Sequence, residues 1–141
     1  MTIDQIMREN WSEIMEAKIK PVIYLASPYS HPEKEVMEEN FKKVSQIAAD
    51  LTAEGFIVFS PITYGHTLLQ FREMPGDWPF WASFCFSLLV KADNLIVCDN
   101  MEGWDKSRGV DEEMSFARDH GIKIEFLSKL FVKKTKNKKD K

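Results

Sequence analysis

Cysteine is scarce in this chain. Cys85 and Cys98 are the only two in 141 residues, each set among apolar neighbours and outside any CxxC pair. That argues against a disulfide scaffold and a structural zinc centre, and it points to a reducing, cytoplasmic setting. Long apolar runs are lacking too. None approaches the roughly 18 to 20 residues that cross a bilayer, so no membrane partner is expected. The opening stretch MTIDQIMRENWSEIMEAK is acidic and amphipathic, unlike a secretory signal. Glycine-rich phosphate loops are missing: neither GxxxxGKS/T nor GxGxxG occurs, which removes the usual cradles for ATP and NAD.

Basic charge is also missing from most of the chain. The formal net charge is −3, yet seven of the 19 basic residues are lysines at or after Lys129. The remaining residues hold 12 basic and 21 acidic side chains, a net −9. An acidic body lacks the basic face of a nucleic-acid-binding domain, so nucleic acid is not an expected partner. The tail 129–141 reads as a solvated, disordered end.

What remains is ordinary globular material: 44% apolar and 29% charged residues, enough for one domain with one core. Ile3, Ile6, Met7, Trp11, Ile14 and Met15 recur at helical spacing, which predicts a short amphipathic helix over 1–18. The main domain spans 19–128. Residues 21–26 read as a buried strand, ended by Ser27-Pro28-Tyr29-Ser30. A helical stripe follows at Met37, Phe41, Val44, Ile47, Ala48 and Leu51, and Gly55 stops it. Residues 56–59 form a second strand that Ser60-Pro61 closes. A short helix is expected around 66–71. Asp77 reads as an N-cap with Pro79 in the first turn of an apolar helix running to about Ala92. Residues 94–98 and 122–126 are further strands. A helix opens between them near Gly109 and closes at Gly121.

This order predicts an α/β fold. It is a doubly wound parallel sheet with helices on both faces, Rossmann- or flavodoxin-like, preceded by the short N-terminal helix. Ligands in such sheets sit at the carboxyl ends of the strands. Three segments lie there: 27–30, 60–66 and 99–113.

Several residues in or beside these segments bear chemistry. Tyr24 is either core or a hydroxyl near the strand end that orients a carboxylate. Three acids, Asp111, Glu112 and Glu113, follow Gly103-Trp104-Asp105-Lys106-Ser107-Arg108-Gly109. They either complement the helix dipole or include a carboxylate kept ionised at the helix N-terminus, as a nucleophile must be. Ser107 caps the helix or offers a hydroxyl, and Gly109 lets the backbone approach a ligand. His66 makes a loop hydrogen bond or contacts a sugar or base. Trp78, Trp81 and Trp104 pack the rim or stack on a nucleobase. Cys85 reads first as a buried helix residue.

A set of motifs then runs in order. Tyr-Leu-Ala-Ser-Pro-Tyr-Ser follows the first strand and Ser-Pro-Ile the second. Trp-Pro-Phe-Trp opens a helix, Ala-Asp precedes the third strand, and Gly-Trp-Asp-Lys-Ser-Arg-Gly-Val-x-x-Glu follows with Ala117 one turn on. Over residues 21–127 this order resembles the nucleoside 2-deoxyribosyltransferase superfamily, closest to a small branch of bacterial and phage domains. The resemblance implies cleavage of the N-glycosidic bond of a (deoxy)nucleoside or nucleotide, by base transfer or hydrolysis, with no metal and no cofactor. It implies Glu113 as nucleophile and Tyr24 as its hydrogen-bond partner. Ser107 matches a position that is aspartate in the transferases and a phosphate-binding serine in the related monophosphate hydrolases. Ser27 and Pro28 stand in the first loop, which lacks the hydrolases' arginine. The transferases carry a base-handling aspartate eight residues before Asp93, where this chain has Cys85. A thiol does not exchange protons as a carboxyl does near neutral pH. Two readings follow: an N-glycosidase or transferase, and a nucleotide-binding or sensor module impaired in catalysis. A homo-oligomer is expected in either case.

Overall fold

The computed structural model describes residues 11–130. The expected helix positions at Ile3, Ile6 and Met7, and the tail from 131 onward, lie outside that range. Helix α1, Trp11–Glu16, falls within the span expected for the N-terminal helix.

Four short strands make one sheet: β1 Val22–Ala26, β2 Ile57–Phe59, β3 Asn94–Val97 and β4 Lys123–Phe126. Their order is β2-β1-β3-β4 and every pairing is parallel. The two central strands, VIYLA and NLIV, are almost wholly buried, which explains their uninterrupted apolar sequence. Side chains alternate across β1. Ile23 and Leu25 face one core with Val44 and Ile47 of α2, Lys34–Ala53. Tyr24 and Ala26 face the other, with Cys85 and Leu89 of α4, Trp78–Leu89, and Val110 and Ala117 of α5, Arg108–Asp119. Helices therefore cover both faces, and the doubly wound parallel sheet is the fold of this chain.

The strand order places the site. The chain leaves β1 towards β2, then crosses back over β1 to form β3. Strand connections diverge at the carboxyl ends of β1 and β3, the crevice where such sheets bind ligands.

Several boundaries differ from the sequence reading. Ser60-Pro61 does more than end β2: the Ser60 hydroxyl accepts the Thr63 N–H at 3.1 Å, and Pro61 opens α3, Pro61–Leu69. The helix expected around 66–71 thus begins a turn and a half earlier, and Phe71 is left outside it, 83% exposed. Helix α4 stops at Leu89 instead of Ala92. Inside the loop 99–107, Trp104–Lys106 forms a single 3-10 turn entered through Gly103 at φ +85°, a left-handed conformation that favours glycine. After β4 the chain turns helical at 127–130. Asp99 holds that turn, accepting the Ser128 N–H at 2.8 Å.

Candidate active site

Strand pairing and helix period bring two distant residues together. Tyr24 is central in β1, its side chain on the α4/α5 face. On α5, Val110, Glu113 and Ala117 are the buried positions, at steps of three and four. Glu113 is 3% exposed, a carboxyl group in the core. The Tyr24 hydroxyl donates a hydrogen bond to its Oε2. Burial pushes the Glu113 carboxyl up to about 8, and the Tyr24 hydrogen bond opposes that shift. Burial, followed by the neighbouring Glu113 charge, holds the Tyr24 hydroxyl well above its ordinary value, so it remains a donor. Position near the helix N-terminus does not account for this shift. Glu113 sits more than a turn inside α5, where the dipole has faded and desolvation dominates.

Cys85 of α4 closes the third side. Its thiol is pushed up to about 12, first by burial and then by the Glu113 charge, with Tyr24 acting in the opposite direction. It is a neutral wall of the pair, unable to shuttle protons near neutrality.

A cavity of about 1080 Å³ opens in front of this group. It is of a size to take a small organic molecule. Glu113 of α5 and Cys85 of α4 line it, and Tyr24 bonds to Glu113 from β1. Ser27 and Pro28 come from the loop after β1, His66 from α3, and Ser107 and Gly109 from the start of α5. Ser27 is 5% exposed and lines the cavity, and its buried hydroxyl has no hydrogen-bond partner. Ser107 is the N-cap of α5, its Oγ accepting the Val110 N–H at 3.3 Å.

One expectation changes. Trp104 does not line the cavity; its ring packs edge-on against Phe126 of β4, centroids 5.9 Å apart. Gly109 has a further reason to be glycine. A Cβ there would stand 3.2 Å from the Trp78 ring, so the missing side chain makes room for the indole. Trp78 is tied to the same helix through its Nε1–H bond to Glu112, which also accepts from Arg108 Nε at 3.0 Å. Trp78 and Trp81 both line the cavity.

His66 lines the cavity from α3, and both ring nitrogens and the ring face are engaged. Nε2 lies 2.9 Å from Glu38 Oε2, Nδ1 lies 2.8 Å from the Tyr29 hydroxyl, and the ring stacks on Phe41 with centroids 4.0 Å apart. Sequence reading missed Tyr29 and Glu38. Tyr29 stood in the recognised first loop. Glu38 carries no local signal, because it meets His66 only through the packing of α2 on α3.

Residues 21–129 match the family described as Domain of unknown function (DUF1937). The chain belongs to this family. The motifs at 21–127 that resemble the nucleoside 2-deoxyribosyltransferases lie within the matched residues. A solved structure of a 2-deoxyribosyltransferase from Bacillus psychrosaccharolyticus is 24% identical, covering 74% of this chain and 70% of that one, with a TM-score of 0.44. Two curated proteins, each named Receptor for retinol uptake STRA6, also match. The one from Pongo abelii is 34% identical over 41 residues and the one from Homo sapiens 35% over 40. Those stretches are 29% and 28% of this chain, and they span only 6% of either receptor. Among the described residues no helix is long and apolar enough to cross a membrane.

Proposed function

We propose that this protein cleaves the N-glycosidic bond of a (deoxy)nucleoside or nucleotide, with Glu113 as nucleophile. The observation that carries the reading is the buried Tyr24–Glu113 pair opening onto the cavity at the strand ends. Burying a carboxyl group is costly, and carboxyls perturbed in this way cluster at functional sites.

The chemistry fits the groups at hand. As the C1′–N bond breaks, its electron pair goes to the base and the sugar acquires oxocarbenium character. A Glu113 oxygen bonds to C1′ and forms a glycosyl ester, as in retaining glycosidases. The base ring nitrogen takes up a proton. Water, or a second base, then attacks C1′ and releases Glu113. Tyr24 holds the carboxylate in line. Ser27 and Ser107, which line the cavity, are assigned to sugar or phosphate oxygens, and Trp78 and Trp81 to the base.

Cys85 favours a second reading, a nucleotide-binding or sensor module. It stands where the resemblance implies a proton-handling aspartate, and a thiol with a pKa of about 12 does not replace one.

Free-base release from a panel of nucleosides and 5′-monophosphates, with and without a second base, tests both. Release supports the enzyme, and dependence on the second base marks transfer. Binding of a panel member without any release supports the sensor.

A homo-oligomer in a reducing cytoplasm completes the proposal. Exposed aromatic rings on and beside α3 and α4 support the oligomer: Tyr64 at 46%, Phe80 at 49% and Phe71 at 83%.

A further inference from the structure

With a thiol at Cys85, the departing base needs its proton from elsewhere in the cavity. Three residues from separate parts of the chain form a line there. Glu38 of α2 lies 2.9 Å from His66 Nε2, and His66 Nδ1 lies 2.8 Å from the Tyr29 hydroxyl. A carboxylate only accepts, so Nε2 carries a hydrogen. In the neutral ring Nδ1 then accepts from Tyr29. In the imidazolium Nδ1 donates to the Tyr29 oxygen, and the phenolic hydrogen is free to turn elsewhere. Phe41 stacks on the ring and the Asn40 side chain donates to the Tyr29 carbonyl at 3.2 Å, so both ring and loop are held. Tyr29 and His66 both line the cavity. The other charged side chains at this end of it are Glu35, Glu39 and Lys43 of α2 and His31 of the first loop.

We propose that Tyr29, supplied through His66 and Glu38, is the acid that protonates the departing base, in place of the missing aspartate. The inference rests on the glycosidic reading above. In the first half-reaction the Tyr29 proton passes to the base ring nitrogen as the C1′–N electron pair arrives there. The Nδ1 proton of the imidazolium moves to the Tyr29 oxygen, which leaves His66 neutral with its Nε2–H on Glu38. In hydrolysis, the proton lost by the attacking water returns along the same line and restores the imidazolium. Tyr29 touches the substrate; His66 and Glu38 are positioning residues. Burial, then the Glu38 charge, raises the Tyr29 hydroxyl above its ordinary value, so it keeps its proton until the base draws it.

The test compares leaving groups that need a proton with those that do not. One pair is a purine nucleoside and its N7-methylated counterpart, whose base already carries the charge that protonation would add. The other is a pyrimidine nucleoside and its 5-nitro counterpart, whose base departs as a stable anion. Each is used as the nucleoside and as the 5′-monophosphate. Tyr29→Phe and Glu38→Gln are expected to lose about 10²- to 10⁴-fold on the ordinary base, the usual worth of general acid catalysis, and less than about tenfold on the activated one. Glu113→Ala is expected to lose both. Equal losses on both leaving groups, or no loss from Tyr29→Phe, overturn this inference while leaving the glycosidase reading intact. Wild-type protein inert towards every member of the panel overturns that reading and this inference with it.

Discussion

Tyr24 and Glu113 are 89 residues apart in sequence and share one buried hydrogen bond, the hydroxyl of a central strand donating to a carboxylate on α5. The strand register points Tyr24 at α5, and the helix period points Glu113 back. The consequence is a carboxyl group whose proton is lost only near pH 8.

That value predicts a pH dependence. Only ionised Glu113 attacks, so kcat/KM on an activated base, whose departure needs no proton from Tyr29, should rise from pH 6 and level off above about 8. In Tyr24→Phe the opposing hydrogen bond is gone. The rise should move to higher pH, and the plateau should fall by about 10- to 100-fold, in keeping with roughly 1.5–3 kcal/mol for a hydrogen bond to a charged group. A pH–rate profile of the variant superimposed on that of the wild type would contradict the assignment.

Stability should show the same group with the opposite preference. The folded protein keeps the Glu113 proton up to about pH 8, whereas the unfolded chain releases it near the ordinary 4.5. Native Glu113 binds the extra proton across that window. Its contribution is therefore full below about 4.5 and is lost as pH rises through about 8. At ~1.4 kcal/mol per pH unit, the loss is on the order of a few kcal/mol. Glu113→Gln cannot ionise, so its Tm should exceed that of the wild type at pH 9 and converge with it towards pH 5. Scans at both pH values read this directly.

Cys85 lies against the same pair, which sets the outcome of Cys85→Asp. Two buried carboxyls side by side cannot both ionise. The variant should lose several kcal/mol at pH 8, where one charge is left without a partner, and less at pH 5. An unchanged Tm at pH 8 would show that the site is wetter than its burial indicates.

The aromatic surface makes its own prediction. Light scattering at micromolar concentration should give a multiple of the 16.4 kDa chain mass. Phe71→Glu with Phe80→Glu should lower it towards a single chain. A wild-type mass near 16.4 kDa rules the oligomer out.

Legibility in the sequence followed the range of the forces involved. β1, α2, β3 and α5 were readable because each carries its own period or unbroken apolar run. Ser60-Pro61 reads as a strand end because the strand before it is short, although it carries the same helix-start signal as Asp77 and Pro79. Glu113 and Tyr24 were singled out by resemblance, but their elevated proton affinities depend on burial, which no local pattern reports. Trp104 was misplaced because an aromatic residue in a loop reads alike whether it faces a ligand or, as here, the end of β4. The Glu38–His66–Tyr29 line joins α2, α3 and a loop. Only His66 was marked beforehand, since the contact exists only after α2 and α3 pack.

The most direct test of the central claim is free-base release by purified Glu113→Ala, beside wild type, on the substrate the wild type cleaves fastest. The account predicts a fall of about 10³-fold or more with the fold retained, as expected when a nucleophile alone is removed. Turnover by Glu113→Ala at the wild-type rate would contradict it.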